Sequence, residues 1–163
     1  MSARPYVSLL RALGEAGVQF GIAGGFAVVL HGVPRMTFDL DIVIDLAAAN
    51  VSRLVAVLRA EGFRPRLPVA LSDLEDAETR REWTEIRNLI AFSLNHPQRP
   101  MEELDVLLVS PFPWSEIADS LVWRSIEGIS VPVIGRALLR RMKLATGRPR
   151  DAMDAALLGD GDV

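Results

Sequence analysis

The segment GGFAVVLHGVPRMTFDLDIVID, residues 24–45, decides the fold. From residue 38 to residue 45 its side chains alternate with the two-residue period of a β-strand. One face carries Leu40, Ile42 and Ile44, and the other carries Asp39, Asp41 and Val43. The pattern predicts a strand with one buried face and one face that bears two carboxylates.

A glycine pair, Gly24-Gly25, opens the segment. The apolar run 18–23 before it predicts a short buried strand, and 26–31 after it predicts a short helix that ends before Pro34. Glycine allows backbone N–H groups to come close to a phosphate group, and the start of a helix adds a favourable dipole. A glycine turn followed by paired carboxylates indicates a site for a phosphorylated ligand.

The rest of the chain predicts an α/β fold around this segment. Helices are expected over 6–16, 47–61, 135–146 and 150–158, and in a helix that begins at Pro113 and runs to about Val122. Strands are expected over 89–94 and 103–109, paired as a hairpin, and over 126–134 with a break at Pro132. The charge-rich stretch 71–87 is expected to form an exposed helix or lid. Without a repeat or linker, one domain is predicted over 1–163, with a core at about 6–134 and C-terminal helices at about 135–158.

Composition narrows the class of protein. The 163 residues carry a formal net charge of −3, a pI near 5.4 and no cysteine. The charge argues against broad electrostatic binding of nucleic acid or a membrane, and no sequence-specific DNA binding is expected. The absence of cysteine excludes disulfides and thiolate chemistry and agrees with a reducing cytoplasm, where we expect the chain to stay since no targeting segment is visible.

The two strand carboxylates suggest a cation site. Residues two apart on a strand project to the same side, so Asp39 and Asp41 can bind divalent cations together. A third carboxylate is expected from the later strand, with Asp105 as the better candidate and Glu103 as the alternative. Three converging carboxylates would repel by about 10 kcal/mol unless they were protonated or neutralised, and magnesium neutralises such clusters.

Taken together, the ordered residues resemble a known family. The run from Gly24-Gly25 through Arg35, Thr37, Asp39 and Asp41, followed by Asp105, is similar to the signature of the polymerase-beta-like nucleotidyltransferase superfamily. Within it, the segment resembles the minimal and AbiEii-type bacterial enzymes most closely. The closing stretch KLATGRPRDAMD, residues 143–154, resembles the Lys, Gly-Arg, Asp helix pair near the C-termini of those enzymes.

The resemblance implies both a fold and an activity. It implies a mixed sheet flanked by helices, with Mg²⁺ or Mn²⁺ held by the catalytic Asp39, Asp41 and Asp105. The implied reaction moves a nucleotidyl group from an NTP to an RNA end, a protein hydroxyl or a small molecule, with loss of pyrophosphate. The implied nucleotide-binding residues are Gly24, Gly25, Arg35, Thr37, Lys143 and Arg148. A role as the toxin of a toxin–antitoxin pair, with a cognate antitoxin as partner, follows from the same analogy.

One departure from the family pattern keeps other functions open. Many members carry serine after the first glycine, whereas Gly25 offers only backbone. The same fold could therefore be a module that binds a nucleotide or a partner without turnover, or a structural or regulatory subunit.

Several residues also have simpler interpretations. Arg35 and Thr37 could anchor a turn, and His31 is expected at a helix end. We expect His96 to be exposed to solvent beside Pro97. The three tryptophans could stack a base but are more typical of a core or an interface; they are Trp83, Trp114 and Trp123.

Overall fold

The computed structural model describes residues 4–159. The helices among them are α1 (Val7–Glu15), α2 (Gly24–Leu30), α3 (Ala48–Glu61), a 3₁₀ helix (Leu71–Glu75), α4 (Ala77–Glu85), α5 (Trp114–Ser120), α6 (Arg136–Ala145) and α7 (Pro149–Leu158). The strands are β1 (Phe20–Ala23), β2 (Asp39–Ile44), β3 (Arg64–Pro65), β4 (Ala91–Asn95), β5 (Glu103–Leu107), β6 (Val122–Ile126) and β7 (Ile129–Val133). The predicted α/β class with C-terminal helices is confirmed.

The strands form one mixed sheet in the order β3-β4-β5-β2-β1-β7-β6. Strand β2 lies at its centre, antiparallel to β1 and parallel to β5. The predicted hairpin of β4 and β5 is confirmed, because these strands pair antiparallel along their whole length. Since β2 is parallel to β5, residues two apart on both strands present a common row of side chains on each face.

The alternation in β2 produces the predicted division of faces. Leu40 and Ile42 are fully buried, and so are Leu104 and Val106 at the matching register of β5. Burial of each such side chain stabilises the fold by about 1.5–3 kcal/mol. The odd-numbered side chains of both strands therefore lie on the opposite face, and this arrangement places the aspartates.

The glycine turn differs in one detail from the sequence prediction. Helix α2 begins at Gly24 itself and not at Phe26, so both glycines lie in its first turn. Gly24 has φ +60°, a conformation that glycine adopts without strain. At the other end of α2, the predicted helix-end position of His31 is confirmed, and its Nε2 donates to the carbonyl of Ile134 at 2.8 Å.

Tyr6 ties the N-terminal end of the chain to the start of β2 and β5. Its ring is 1% exposed, and its hydroxyl donates to the carbonyl of Phe38 at 2.6 Å and accepts from the N–H of Glu103 at 2.8 Å. Burial raises the pKa of this hydroxyl to about 12, so it stays protonated and can donate at every physiological pH. Tyr6 thus holds the two strands together at the end where their acidic side chains begin.

We expect Tyr6→Phe to destabilise the protein by about 1–3 kcal/mol, because the Glu103 N–H and the Phe38 carbonyl lose a buried partner. Urea denaturation followed by circular dichroism measures the change in unfolding free energy. Ser8→Ala is the matched control, since it removes from α1 an exposed hydroxyl that bonds Glu61 at 2.8 Å. Equal stability of Tyr6→Phe and wild type would contradict this role.

The strand expected over 126–134 is wrong in its extent. Two strands, β6 and β7, form a hairpin there, and β6 begins at Val122, where the sequence predicted the end of a helix. The reason is the turn Glu127-Gly128, in which both residues have positive φ, 46° and 80°, as two-residue hairpin turns require. Pro132 lies inside β7 without a break, because β1 pairs with β7 only at Val133.

Two smaller predictions also change. Pro113 is the residue before α5 and not its first residue, and α5 ends at Ser120.

His96, which was expected to be exposed to solvent, is only 7% exposed. Its Nε2 donates to the carbonyl of Glu61 at 2.8 Å, and its Nδ1 accepts from the N–H of Gln98. The imidazole is buried because it ties the start of the β4–β5 connection to the end of α3.

The charge-rich stretch 71–87 is anchored to the core and does not form a free lid. It comprises the 3₁₀ helix and α4, and it buries Leu74 and Trp83. The Trp83 ring stacks on Phe92 of β4 with ring centroids 5.3 Å apart. Because only two apolar side chains among many charged ones anchor this stretch, the sequence pattern did not reveal that it packs on the core.

Within residues 4–159, no helix is both long enough and apolar enough to cross a membrane.

Candidate active site

The acidic residues predicted for the site form two rungs of a ladder on β2 and β5. Asp41 lies at the same register as Asp105, and Asp39 lies at the same register as Glu103. Register neighbours on adjacent strands are about 5 Å apart in the hydrogen-bonding direction. The structure therefore brings Asp39, Asp41 and Asp105 to one face, and all three line a single cleft of about 990 Å³.

Asp41 lies directly against the glycine turn. A Cβ atom built on Gly24 would lie 1.9 Å from Asp41 Oδ2, so only glycine leaves room for this carboxylate. Burial first, and then the nearby charges of Asp105 and Asp39, together raise the pKa of Asp41 to about 7. The site thus stores electrostatic repulsion that a bound cation would relieve.

The outer rung is more exposed. Burial, together with a hydrogen bond to Glu103, raises the pKa of Asp39 above its usual range. Glu103 also forms an ion pair with Arg66 at 3.5 Å, and it does not line the cleft. Because Asp105, unlike Glu103, lines the cleft beside Asp41, the geometry favours Asp105 as the third acidic residue.

Ser93 on β4 fixes the orientation of Asp105. The two residues are register partners, and Ser93 Oγ donates to Asp105 Oδ1 at 2.5 Å. This bond occupies one oxygen of the Asp105 carboxylate and thereby fixes the direction of the other oxygen. Sequence reasoning missed Ser93, although the predicted hairpin together with a count of register could have placed it opposite Asp105.

For the nucleotidyl transfer that the sequence resemblance implies, we expect Ser93→Ala to lower kcat by roughly 10- to 100-fold, the usual effect of losing a group that orients a functional carboxylate. KM for the nucleotide should change by less than about 3-fold, since Ser93 is on the far side of Asp105 from the basic residues. Steady-state kinetics separates the two parameters, and Ser93→Thr, which keeps the hydroxyl, is the matched control. A change confined to KM would contradict an orienting role.

The basic residues of the site are held by two buried carboxylates of α7. Lys143 Nζ lies 2.9 Å from Asp151 and 3.0 Å from Asp154, and Asp154 also accepts from Arg35 at 2.7 Å. Although burial opposes ionisation of Asp151, hydrogen bonds from Thr146 and Lys143 outweigh it and hold its pKa below the usual range. Asp151 and Asp154 therefore act as fixed counter-charges that position the cations.

The remaining predicted residues complete this side of the cleft. A Cβ at Gly25 would lie 2.7 Å from Thr37 Oγ1 and 2.8 Å from Arg35 Nη1, so the 35–37 loop covers the glycine turn. The space that a serine would need at position 25 is thus filled, and the Thr37 hydroxyl is present at the turn in its place. Arg148 bonds Asp151 at 2.8 Å, with its side chain 75% exposed at the cleft margin.

A divalent cation suits the chemistry of this donor set. Carboxylate oxygens are the ligands that magnesium prefers, and a bound cation would offset the charges of Asp105 and Asp39, which after burial are the next causes of the raised pKa of Asp41. Among residues 4–159, no three acidic or histidine side chains are already gathered as a metal-binding group. Magnesium is commonly bound by one or two carboxylates and completed by water and substrate phosphates, and Asp41 with Asp105 would provide such a pair.

None of the tryptophans lines the cleft. Trp83 is in the core, Trp114 packs partly buried against it, and Trp123 is 63% exposed on β6. The structure therefore gives no support to base stacking by these rings and supports the simpler interpretation for Trp83 and Trp114.

Solved structures of two antibiotic-modifying enzymes resemble this chain in fold. The solution structure of the antibiotic-resistance factor ANT(2'')-Ia matches it with a TM-score of 0.58 at 14% identity, over 93% of this chain and 78% of that one. The lincosamide antibiotic adenylyltransferase LnuA, lincomycin-bound, matches with 0.57 at 16% identity, over 97% and 96%. ANT(2")-Ia in complex with adenylyl-2"-tobramycin matches with 0.57 at 15% identity, over 93% and 83%.

One of these neighbours is thus an adenylyltransferase by name, and another holds an adenylylated antibiotic. At such low identity the likeness shows the fold, and the mixed sheet flanked by helices that the resemblance implied is confirmed. No known protein family and no curated protein matches the sequence.

Proposed function

We propose that this protein is a nucleotidyltransferase that uses Mg²⁺ or Mn²⁺ to move a nucleoside monophosphate from an NTP to a hydroxyl acceptor. The observation that carries the proposal is the placement of Asp41 between the glycine turn and Asp105 in one cleft. A carboxylate with a pKa of about 7, beside a glycine turn that lines the same cleft, suits metal-assisted phosphoryl chemistry. The fold of the neighbouring antibiotic nucleotidyltransferases supports the same reaction class.

In this proposal the basic side of the cleft binds the triphosphate. Gly24 and Gly25 allow the backbone to approach the phosphates, and Thr37 can donate its hydroxyl there. Lys143 and Arg148 balance the phosphate charge, with Arg35 behind them. Asp151 and Asp154 hold Lys143 in one position by ion pairs of 2.9 and 3.0 Å, so little side-chain entropy is lost on binding.

The acidic side carries the chemistry. A cation held by the pair Asp41 and Asp105, with Asp39 on the outer rung as the third proposed ligand, would neutralise the triphosphate and polarise its α-phosphate. Asp105 accepts the proton of the acceptor hydroxyl, and the freed oxygen forms a bond to the α-phosphorus. The bond from that phosphorus to the β-phosphate oxygen breaks, and pyrophosphate leaves. Ser93 keeps Asp105 oriented for this proton transfer.

A finer assignment rests on the resemblance of residues 24–45 and 143–154. On this resemblance we propose that the protein is of the minimal or AbiEii-type subgroup. The absence of cysteine favours a location in the reducing cytoplasm. For a member of that subgroup we further propose a role as a toxin that is paired with an antitoxin protein.

Transfer of label from α-labelled NTPs tests the proposal. Each of the four NTPs is incubated with Mg²⁺ and the protein, with total RNA, total protein and small hydroxylated compounds as acceptors. We expect labelled product and pyrophosphate from one or more NTPs, and neither from the double variant Asp39→Ala with Asp41→Ala. Equal activity of wild type and this variant after repurification would contradict the assignment. Nucleotide binding without pyrophosphate in every acceptor screen would instead indicate a non-catalytic binding module.

A further inference from the structure

One side of the cleft has no role in binding the triphosphate in the proposed function. At the end of the β4–β5 hairpin its lining consists of Ile90, Ala91, Leu107, Val109, Ser110 and Pro111. Ile90 is 64% exposed and Val109 is 47% exposed, although both are large apolar side chains. Exposed apolar surface inside a concave site is typical of ligand contact. We call this set of six residues the apolar wall.

The apolar wall is continuous with the acidic residues. Leu107 follows Asp105 by two residues on β5 and so projects to the same face, about 7 Å farther along the strand. Ala91 is the register partner of Leu107, as Ser93 is of Asp105. Beyond the strands, the N–H of Val109 donates to the carbonyl of Ile90 at 3.3 Å, which keeps these two side chains adjacent.

Charge is distributed unequally between the two sides of the cleft. The lining cations are Arg35, Lys143, Arg148 and Arg150, and they lie on the α2–β2 loop and on the α6–α7 side. Among the described residues that line the cleft between positions 90 and 111, Asp105 alone is charged. In the sheet order, β2 lies between this hairpin and β1, which leads into the glycine turn.

We propose that the apolar wall is the acceptor subsite and that the acceptor is a small hydroxylated molecule with an apolar face. The inference rests on the proposed function, because it uses Asp105 as the residue that meets the acceptor hydroxyl. An RNA end would need cations for its phosphates beside Asp105, and a polycationic acceptor would need acidic side chains along the wall. The apolar wall supplies neither cations nor acidic side chains, so an uncharged apolar group of the acceptor fits it.

Binding of the neutral apolar fluorophore N-phenyl-1-naphthylamine tests the wall directly. The titration is done with saturating ATP and Mg²⁺ on wild type, Ile90→Ser and Val109→Ser. The control is Ile86→Ser, which changes an isoleucine of similar exposure, 74%, that lies outside the cleft. We expect each wall variant to weaken probe binding about 10-fold, since a buried apolar contact is lost, with ATP affinity unchanged in all variants. Hexyl β-glucoside should displace the probe and methyl β-glucoside should not.

Several results would overturn the inference. Probe binding that is unaffected in both wall variants, or equally reduced in Ile86→Ser, would contradict an apolar subsite. Preferential labelling of tobramycin or of an RNA 3′ end over hexyl β-glucoside would contradict the acceptor class. Failure of wild type to bind any of the four NTPs would instead contradict the proposed function, and the fluorophore titration without nucleotide would still decide whether the wall binds apolar groups.

Discussion

Replacement of Asp41 with asparagine is expected to abolish nucleotidyl transfer and at the same time to stabilise the protein at pH 8. The loss of activity should be on the order of 10³-fold or more, because a central carboxylate of the reaction is removed. Asparagine keeps the shape that fits against Gly24, so the fold is retained. An inactive variant that is more stable than wild type is the signature of a residue strained for function.

The sign of the stability change follows from the pKa of Asp41. Burial first, and then the charges of Asp105 and Asp39, raise this pKa from 3.8 to about 7 in the folded protein. Between these two pH values the folded state holds a proton that the unfolded state has released, so wild-type stability falls as pH rises from about 4 to 7. The full loss corresponds to roughly 4 kcal/mol at most.

Urea denaturation in EDTA at pH 4.5, 6 and 8 measures this effect. Asp41→Asn should gain about 1–4 kcal/mol over wild type at pH 8 and no more than about 1 kcal/mol at pH 4.5, where the unfolded state has already released most of this proton. Asp119→Asn, at an exposed position on α5, is the control and should show no such pH dependence. Added Mg²⁺ should stabilise wild type at pH 8 more than it stabilises Asp41→Asn. A variant that is less stable than wild type at pH 8 would contradict the proposed repulsion.

The second large effect is expected at the glycine turn. Gly24→Ala places a methyl group 1.9 Å from Asp41 Oδ2 at a residue with φ +60°. The left-handed backbone costs about 1–2 kcal/mol for a non-glycine residue, and the overlap adds about 1–3 kcal/mol. Displacement of the Asp41 carboxylate should also remove transfer activity, since turn and carboxylate can no longer be close together.

Gly17→Ala separates the two causes. Gly17 has φ +70°, yet a Cβ there meets no atom within 4 Å. It should therefore lose only the backbone contribution, about 1–2 kcal/mol, and retain full activity. If thermal unfolding and transfer assays gave Gly24→Ala and Gly17→Ala the same losses, the close packing of Asp41 on the turn would have no functional role.

Local sequence patterns were sufficient to predict the structure where a single residue type determines the local conformation. The alternation from residue 38 to 45 defined β2 and its acidic face, because a strand has only two faces. Gly62 ends α3 in the left-handed conformation, as its position after an apolar helical repeat predicted. These features depend on neighbours within a few residues, so no tertiary information was needed.

The missed features depend on contacts between distant segments. The ion pairs of Asp154 with Arg35 and Lys143 join residues from a loop and two helices. Asp151 and Asp154 stood in the quoted closing stretch, yet nothing in their spacing revealed which cations they hold. The burial of His96 depends on the carbonyl of Glu61, 35 residues away along the chain. The Glu127-Gly128 turn was missed because glutamate seldom adopts positive φ.

A comparison of each of the four NTPs labelled on the α-phosphate with the same NTP labelled on the γ-phosphate tests the central claim most directly. The account predicts that, with Mg²⁺ and an apolar-faced hydroxyl acceptor, the α-label moves to the acceptor while the γ-label appears in pyrophosphate, in equal amounts. Appearance of the γ-label on the acceptor, or release of neither label above the level of Asp41→Asn, would contradict it.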